Sequence, residues 1–170
     1  NYSYTPPMAW IPTTTFSREH TWCHSWMPSY PSESPNEYAD QHHLFPVNQN
    51  NANAVRSNHP LGEVVTPIST YLEGTYGLDV NGNTVYEPRE IHKGDAARSL
   101  LYMSLRYNGV SGFNWTFNNL NNVILPGLAE DPQNLTTLLT WHATDAPDAY
   151  EIARNDYIQS KQFNRNPFID

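Results

Sequence analysis

The chain has 170 residues, 38% of them hydrophobic, which is enough for a sizeable core in one domain. It lacks a run of about 18 apolar residues, so no helical membrane span is expected, and its single cysteine, Cys23, excludes an intramolecular disulfide. A net charge of -8 repels phosphate at long range, so a nucleic-acid role requires the few basic residues to gather at a cleft, or a partner domain to supply affinity.

Residues 1–14 carry Pro6, Pro7 and Pro12 among Tyr2, Tyr4 and Trp10, which predicts an irregular arm packed through its aromatics. The chain begins at Asn1 with no basic-plus-apolar leader, which suits a mature protein or an excised domain. Residues 13–17 are β-branched and aromatic, which predicts a strand ending near Glu19. Pro28, Pro31 and Pro35 make 27–36 a loop. A short strand is expected over 42–45, with Pro46 opening a helix over 47–57. That helix is almost entirely polar or small, so its polar face is the one in use.

Residues 64–72 read as an extended segment broken by Pro67, and 78–86 as a hairpin with a type I′ turn at Asn81-Gly82. A second helix is expected over 92–108, with Ala96, Ala97, Leu100, Leu101, Met103 and Leu105 as its apolar stripe and Asn108-Gly109 as its stop. A Gly/aromatic loop over 109–117 precedes short helices near 118–125 and 135–142. A final helix starts at Pro147, with Asp148 in its first turn, and runs to about 162.

The chemistry-bearing residues lie early. Glu19 precedes His20, and Asn53 and Arg56 follow some thirty residues later. A hard-cation ligand, a neutral-pH base and a second oxygen ligand make up the kit of a one-metal phosphodiesterase. His20 is the candidate base, its tautomer to be set by Asp40 or a backbone carbonyl. Glu19 and Asn53 are the candidate metal ligands. Two oxygen donors suffice for magnesium, which keeps several waters. Arg56, Arg98 and Arg18 are candidate phosphate clamps, and each fits an ordinary ion pair equally well. Strand neighbours face opposite ways, so the strand must twist or end at Glu19-His20 if both serve one site. His24, His42 and His43 invite a zinc reading. It is the weaker one, because Glu19 precedes His20 and no paired cysteines exist.

Three motifs occur in order: Arg18-Glu19-His20, Asp40-x-His42-x-Leu44-x-Pro46 and Asn53-x-x-Arg56-x-Asn58. His92-Lys93-Gly94-Asp95-Ala96-Ala97-Arg98 and a closing Asn164-Arg165-Asn166-Pro167-Phe168 follow. Together they resemble the bacterial endonuclease I family of nonspecific nucleases, in the ββα-metal (His-Me finger) group. The resemblance implies an α+β fold spanning 1–170 as one domain. A ββα-metal finger over about 14–58 would sit in a mainly helical frame over about 88–165. It implies a sugar-nonspecific endonuclease that cuts DNA, with RNA also admissible, and leaves 5′-phosphates. Magnesium would be its cofactor, manganese or calcium the alternatives. It implies a secreted or periplasmic protein with no membrane partner, whose parent chain has room for further domains. His43 stands where the family carries asparagine, and the chain lacks the disulfides of some relatives. The rival class is a non-catalytic, secreted, aromatic-rich module that holds calcium; plasmid nicking with magnesium separates the two.

Overall fold

The computed structural model describes residues 16–112, 115, 123–124 and 132–170. The predicted arm, and most of the predicted helix over 118–125, lie outside them. Strand β1 (Phe16–His20) pairs antiparallel with β2 (Leu44–Asn48), with His20 opposite Leu44 and Phe16 opposite Asn48. The intervening segment holds a 3-10 turn at His24–Trp26, the four-residue helix α1 (Asn36–Ala39) and a 3-10 turn at Gln41–His43. β2 then runs into a π-helical turn, Gln49–Asn53, continuous with α2 (Ala54–Arg56).

Two expectations fail here. Pro46 lies inside β2 instead of opening a helix, and the predicted strand start at 42–43 is a 3-10 turn. A strand with one neighbour has N–H groups facing away from the ladder, and proline is tolerated there. Asn48 opens the helical run instead, its Oδ1 accepting from the Asn50 N–H at 3.2 Å and the Asn51 N–H at 2.9 Å.

A second antiparallel sheet has the order β3 (Thr66–Tyr71), β4 (Gly74–Leu78), β5 (Thr84–Glu87). Pro67 sits at a register shift on the edge strand β3. The β4–β5 turn is not type I′, because Gly82 (φ 82°) takes a positive φ and Asn81 does not. Asp79 organises it instead, its Oδ1 accepting from the Asn81 and Asn83 N–H groups, each at 2.8 Å.

Helix α3 (Lys93–Tyr107) follows a 3-10 turn at Glu90–His92. Ala96, Ala97, Leu100 and Met103 recur at helical spacing and are buried, and α3 packs on α4 (Leu135–Thr144) through Leu138 and Trp141. Leu105, counted in the predicted stripe, is exposed, two residues off the Met103 face. Gly94 is required where α3 meets the C-terminal end of α4: a Cβ there would lie 2.1 Å from the Asp145 carbonyl oxygen. Trp22, Trp26 and Trp115 join the same core, and buried Cys23 packs there as a small apolar side chain.

Val123–Ile124 (β6) pairs with Pro132–Gln133 (β7), so a strand stands where part of a helix was expected. The last helix, α5 (Ala149–Gln162), is capped by Asp148, which accepts from the Glu151 N–H at 2.8 Å. Helices and small antiparallel sheets together make an α+β protein. Helix covers under half of the described residues, which corrects the expectation of a mainly helical frame. Among the described residues no helix is long and apolar enough to cross a membrane.

Candidate active site

The end of β1 presents two faces. Ser17 and Glu19 face the helical run 49–56, where the Asn53 amide donates to Ser17 Oγ and Arg56 pairs with Glu19. His20 faces the other way, its Nε2 bonded to the Tyr38 carbonyl at 2.9 Å. Alternation is therefore kept, and the strand ends at the Glu19-His20 pair.

A carbonyl oxygen only accepts, so His20 Nε2 carries the proton and Nδ1 keeps its lone pair. Nδ1 has no partner among the described residues. Burial pushes the His20 pKa down; the Tyr38 carbonyl opposes this, and His24 and Arg18 add to it. The ring is thus a neutral acceptor near pH 7. The Tyr38 carbonyl, not Asp40, orients it. Sequence reasoning missed Tyr38 because a backbone acceptor leaves no trace in residue type. His20 does not pack in the tryptophan core; it lies against Tyr38 (4.6 Å), His43 (5.2 Å) and His24 (6.0 Å). Arg18 is exposed on β1, with its guanidinium 5.9 Å from the Tyr38 ring.

Burial pushes the Glu19 carboxyl up from the ordinary value, and Arg56 opposes the shift without cancelling it. A desolvated carboxylate with one cationic contact gains from a second cation. Glu19 Oε2 and Asn53 Oδ1 carry no hydrogen bond among the described residues. One charged and one neutral oxygen donor on facing elements fit a hard divalent ion.

Arg56 is buried. Besides Glu19 it donates to the carbonyls of His20 (2.9 Å) and Thr21 (2.8 Å), and its guanidinium lies 5.3 Å from the Trp26 ring. Arg98 is wholly buried on α3, away from this face. It donates Nε to Glu151 at 2.8 Å, pairs with the same carboxylate through Nη2, and reaches the Asp145 carbonyl. Neither guanidinium is presented as a phosphate clamp.

His42 and His43 are buried, with Nε2 bonded to the carbonyls of Asn164 (3.3 Å) and Glu37 (2.9 Å). His24 Nε2 bonds the Ser32 carbonyl at 3.2 Å. These protonated nitrogens point at carbonyls. Among the described residues no group of three or more His, Cys, Asp or Glu converges on a possible metal position.

Asp40 supports the site from behind. Its carboxylate accepts from Tyr102 and Tyr107 (2.7 Å each), Gln162 (2.8 Å) and the His42 N–H (2.9 Å). Burial alone would raise its pKa, but these four donors outweigh burial and lower it. A depressed folded pKa stabilises above the unfolded value of about 3.9, and that stability is lost as pH falls through the folded value. Asp40→Asn is expected to cost about 1.5–3 kcal/mol in urea unfolding at pH 7 and less at about pH 3. An equal cost at both pH values would show that the charge is not what the four donors stabilise.

The chain matches the Endonuclease I family model over residues 11–170. It belongs to the endonuclease I family. It is 36% identical over 156 residues to an extracellular ribonuclease of Bacillus subtilis (strain 168), covering 91% of this chain and 51% of that protein. An extracellular ribonuclease of Bacillus amyloliquefaciens is 34% identical over 160 residues, with 91% and 50% covered. An extracellular deoxyribonuclease of Aeromonas hydrophila is 28% identical over 131 residues, with 77% and 49% covered. The endonuclease I chain thus spans about half the length of these relatives.

Proposed function

We propose that this endonuclease I chain is an extracellular, sugar-nonspecific endonuclease that hydrolyses phosphodiesters in DNA and RNA. One observation carries the reading: a neutral histidine, held by a backbone carbonyl with its other nitrogen open, adjoins a desolvated carboxylate that faces an asparagine-bearing helix. In this reading β1, β2 and the run 49–56 form a ββα-metal finger, and 1–170 acts as one nuclease domain.

A divalent cation, magnesium first, would be held by Glu19 and Asn53 and would relieve charge at the phosphate and the departing 3′ oxygen. His20 Nδ1 takes the proton from the attacking water, and the Tyr38 carbonyl stabilises the imidazolium that forms. Arg56 is a positioning residue, fixing the Glu19 carboxylate and the two carbonyls at the strand end. Arg98 holds the helices together. The relatives with 36% and 34% identity are named ribonucleases and the third a deoxyribonuclease. A site that handles the phosphodiester without reading bases serves both. The extracellular relatives also support export of this chain.

The test is nicking of supercoiled plasmid and cleavage of a folded RNA, with magnesium and with excess chelator. Both substrates should be cut with magnesium and neither with chelator, and DNA ligase should reseal the nicks directly because they carry 5′-phosphates. Full activity in chelator would sink the one-metal mechanism. No cutting under any condition would favour a calcium-holding binding module.

A further inference from the structure

His43 has no part in the reaction as drawn, yet it is fully buried and its ring centroid is 5.2 Å from that of His20. Among the described residues its one polar side-chain contact is Nε2 to the Glu37 carbonyl, and its buried Nδ1 has no partner there. A polar ring placed there at that cost calls for a role beyond filling space.

The role follows from α1. This helix has four residues, none of them buried, and no side-chain cap at Pro35. One turn of helix does not hold its own shape. Its open carbonyls are those that accept from the two histidines: Glu37 O from His43, and the next, Tyr38 O, from His20, each at 2.9 Å. His43 is itself tied to the end of β1, because its carbonyl accepts from the Thr21 N–H at 2.9 Å. A closed path therefore runs from the strand end through His43 to α1 and back to His20.

We infer that His43 is a positioning residue for His20: its Nε2–H holds the turn 36–39 so that the Tyr38 carbonyl keeps the His20 ring in the Nε2–H tautomer with Nδ1 open. Burial and neighbouring His20 hold the His43 pKa down at about 3, so it stays a neutral donor across the working range. The effect on catalysis rests on His20 being the base; the effect on the tautomer does not.

The test compares His43→Gln and His43→Met, two side chains of nearly equal length of which only glutamine carries an N–H donor. Nitrogen-15 spectra of the histidine rings, recorded on the full chain with and without magnesium, report the tautomer of His20. Wild type and H43Q should show His20 as the Nε2–H form. H43M should show a mixture, with kcat lower by about tenfold and KM unchanged. Equal His20 tautomer populations in H43Q and H43M would overturn the proposal. Should H43M fail to fold, wild type and H43Q decide: a His43 ring found as the Nδ1–H form in wild type, or loss of the His20 Nε2–H form in H43Q, overturns it, and the His43 Nε2–H form with retention in H43Q supports it. If the tautomer shifts as expected but His20→Ala keeps full activity, the positioning stands and the general-base reading falls.

Discussion

His20→Ala is expected to lower turnover by about 10²–10⁴-fold while leaving folding and metal affinity intact. The proposed base bonds the Tyr38 carbonyl, whereas the proposed ligands Glu19 and Asn53 bond Arg56 and Ser17, so removing the ring leaves the ligand contacts in place. Glu19→Ala should act differently. It removes the charged ligand, so metal binding weakens first and part of the lost rate returns at high metal concentration. It also leaves buried Arg56 without its carboxylate, so a loss of stability should accompany it. Asn53→Ala should resemble Glu19→Ala in milder form, because a water can replace an amide oxygen. Calorimetric metal titration beside a plasmid-nicking rate separates the three. Loss of metal binding in His20→Ala as complete as in Glu19→Ala would make His20 a ligand and end the general-base assignment.

The second large effect is on stability. Arg98→Met leaves the Glu151 carboxylate, only 5% exposed, without the guanidinium that meets it through two nitrogens. The Asp145 carbonyl loses a donor in the same step. Removing one partner of a buried ion pair costs about 3–5 kcal/mol. Urea unfolding should show that loss, and Arg98→Met with Glu151→Met together should recover much of it, since the buried Glu151 charge goes with its partner and Asp95, 3.4 Å from the Arg98 guanidinium, keeps its 3.1 Å contact with His92. A different outcome would restore the phosphate-clamp role: unchanged stability with a raised KM for nucleic acid.

Most of the elements were legible in the sequence, because periodicity and caps are local. The apolar spacing from Ala96 to Met103 marks α3, Asp148 marks the start of α5, and the strand expected to end near Glu19 is β1 from Phe16 on, its first residues, 13–15, lying outside the described residues. Local rules misplaced Pro46, because its tolerance in β2 depends on how many neighbours that strand has, a property of the sheet. They misassigned the turn at Asn81 because the Asp79 side chain, two residues earlier, supplies the bonds.

By itself the sequence determined the chemical types at the candidate site: Glu19, His20 and Asn53. Only the tertiary structure decided which groups are spent and which stay open. Arg56 and Arg98 look alike as sequence, two cations near motifs, yet each is desolvated against a carboxylate and backbone carbonyls that folding brings to it. The partner that sets His20, the Tyr38 carbonyl, is a backbone atom 18 residues away. Any residue type could have supplied that oxygen. What places it is a one-turn helix in the connection from β1 to β2, held where the rings of His20 and His43 meet its Tyr38 and Glu37 carbonyls, and no local pattern encodes that.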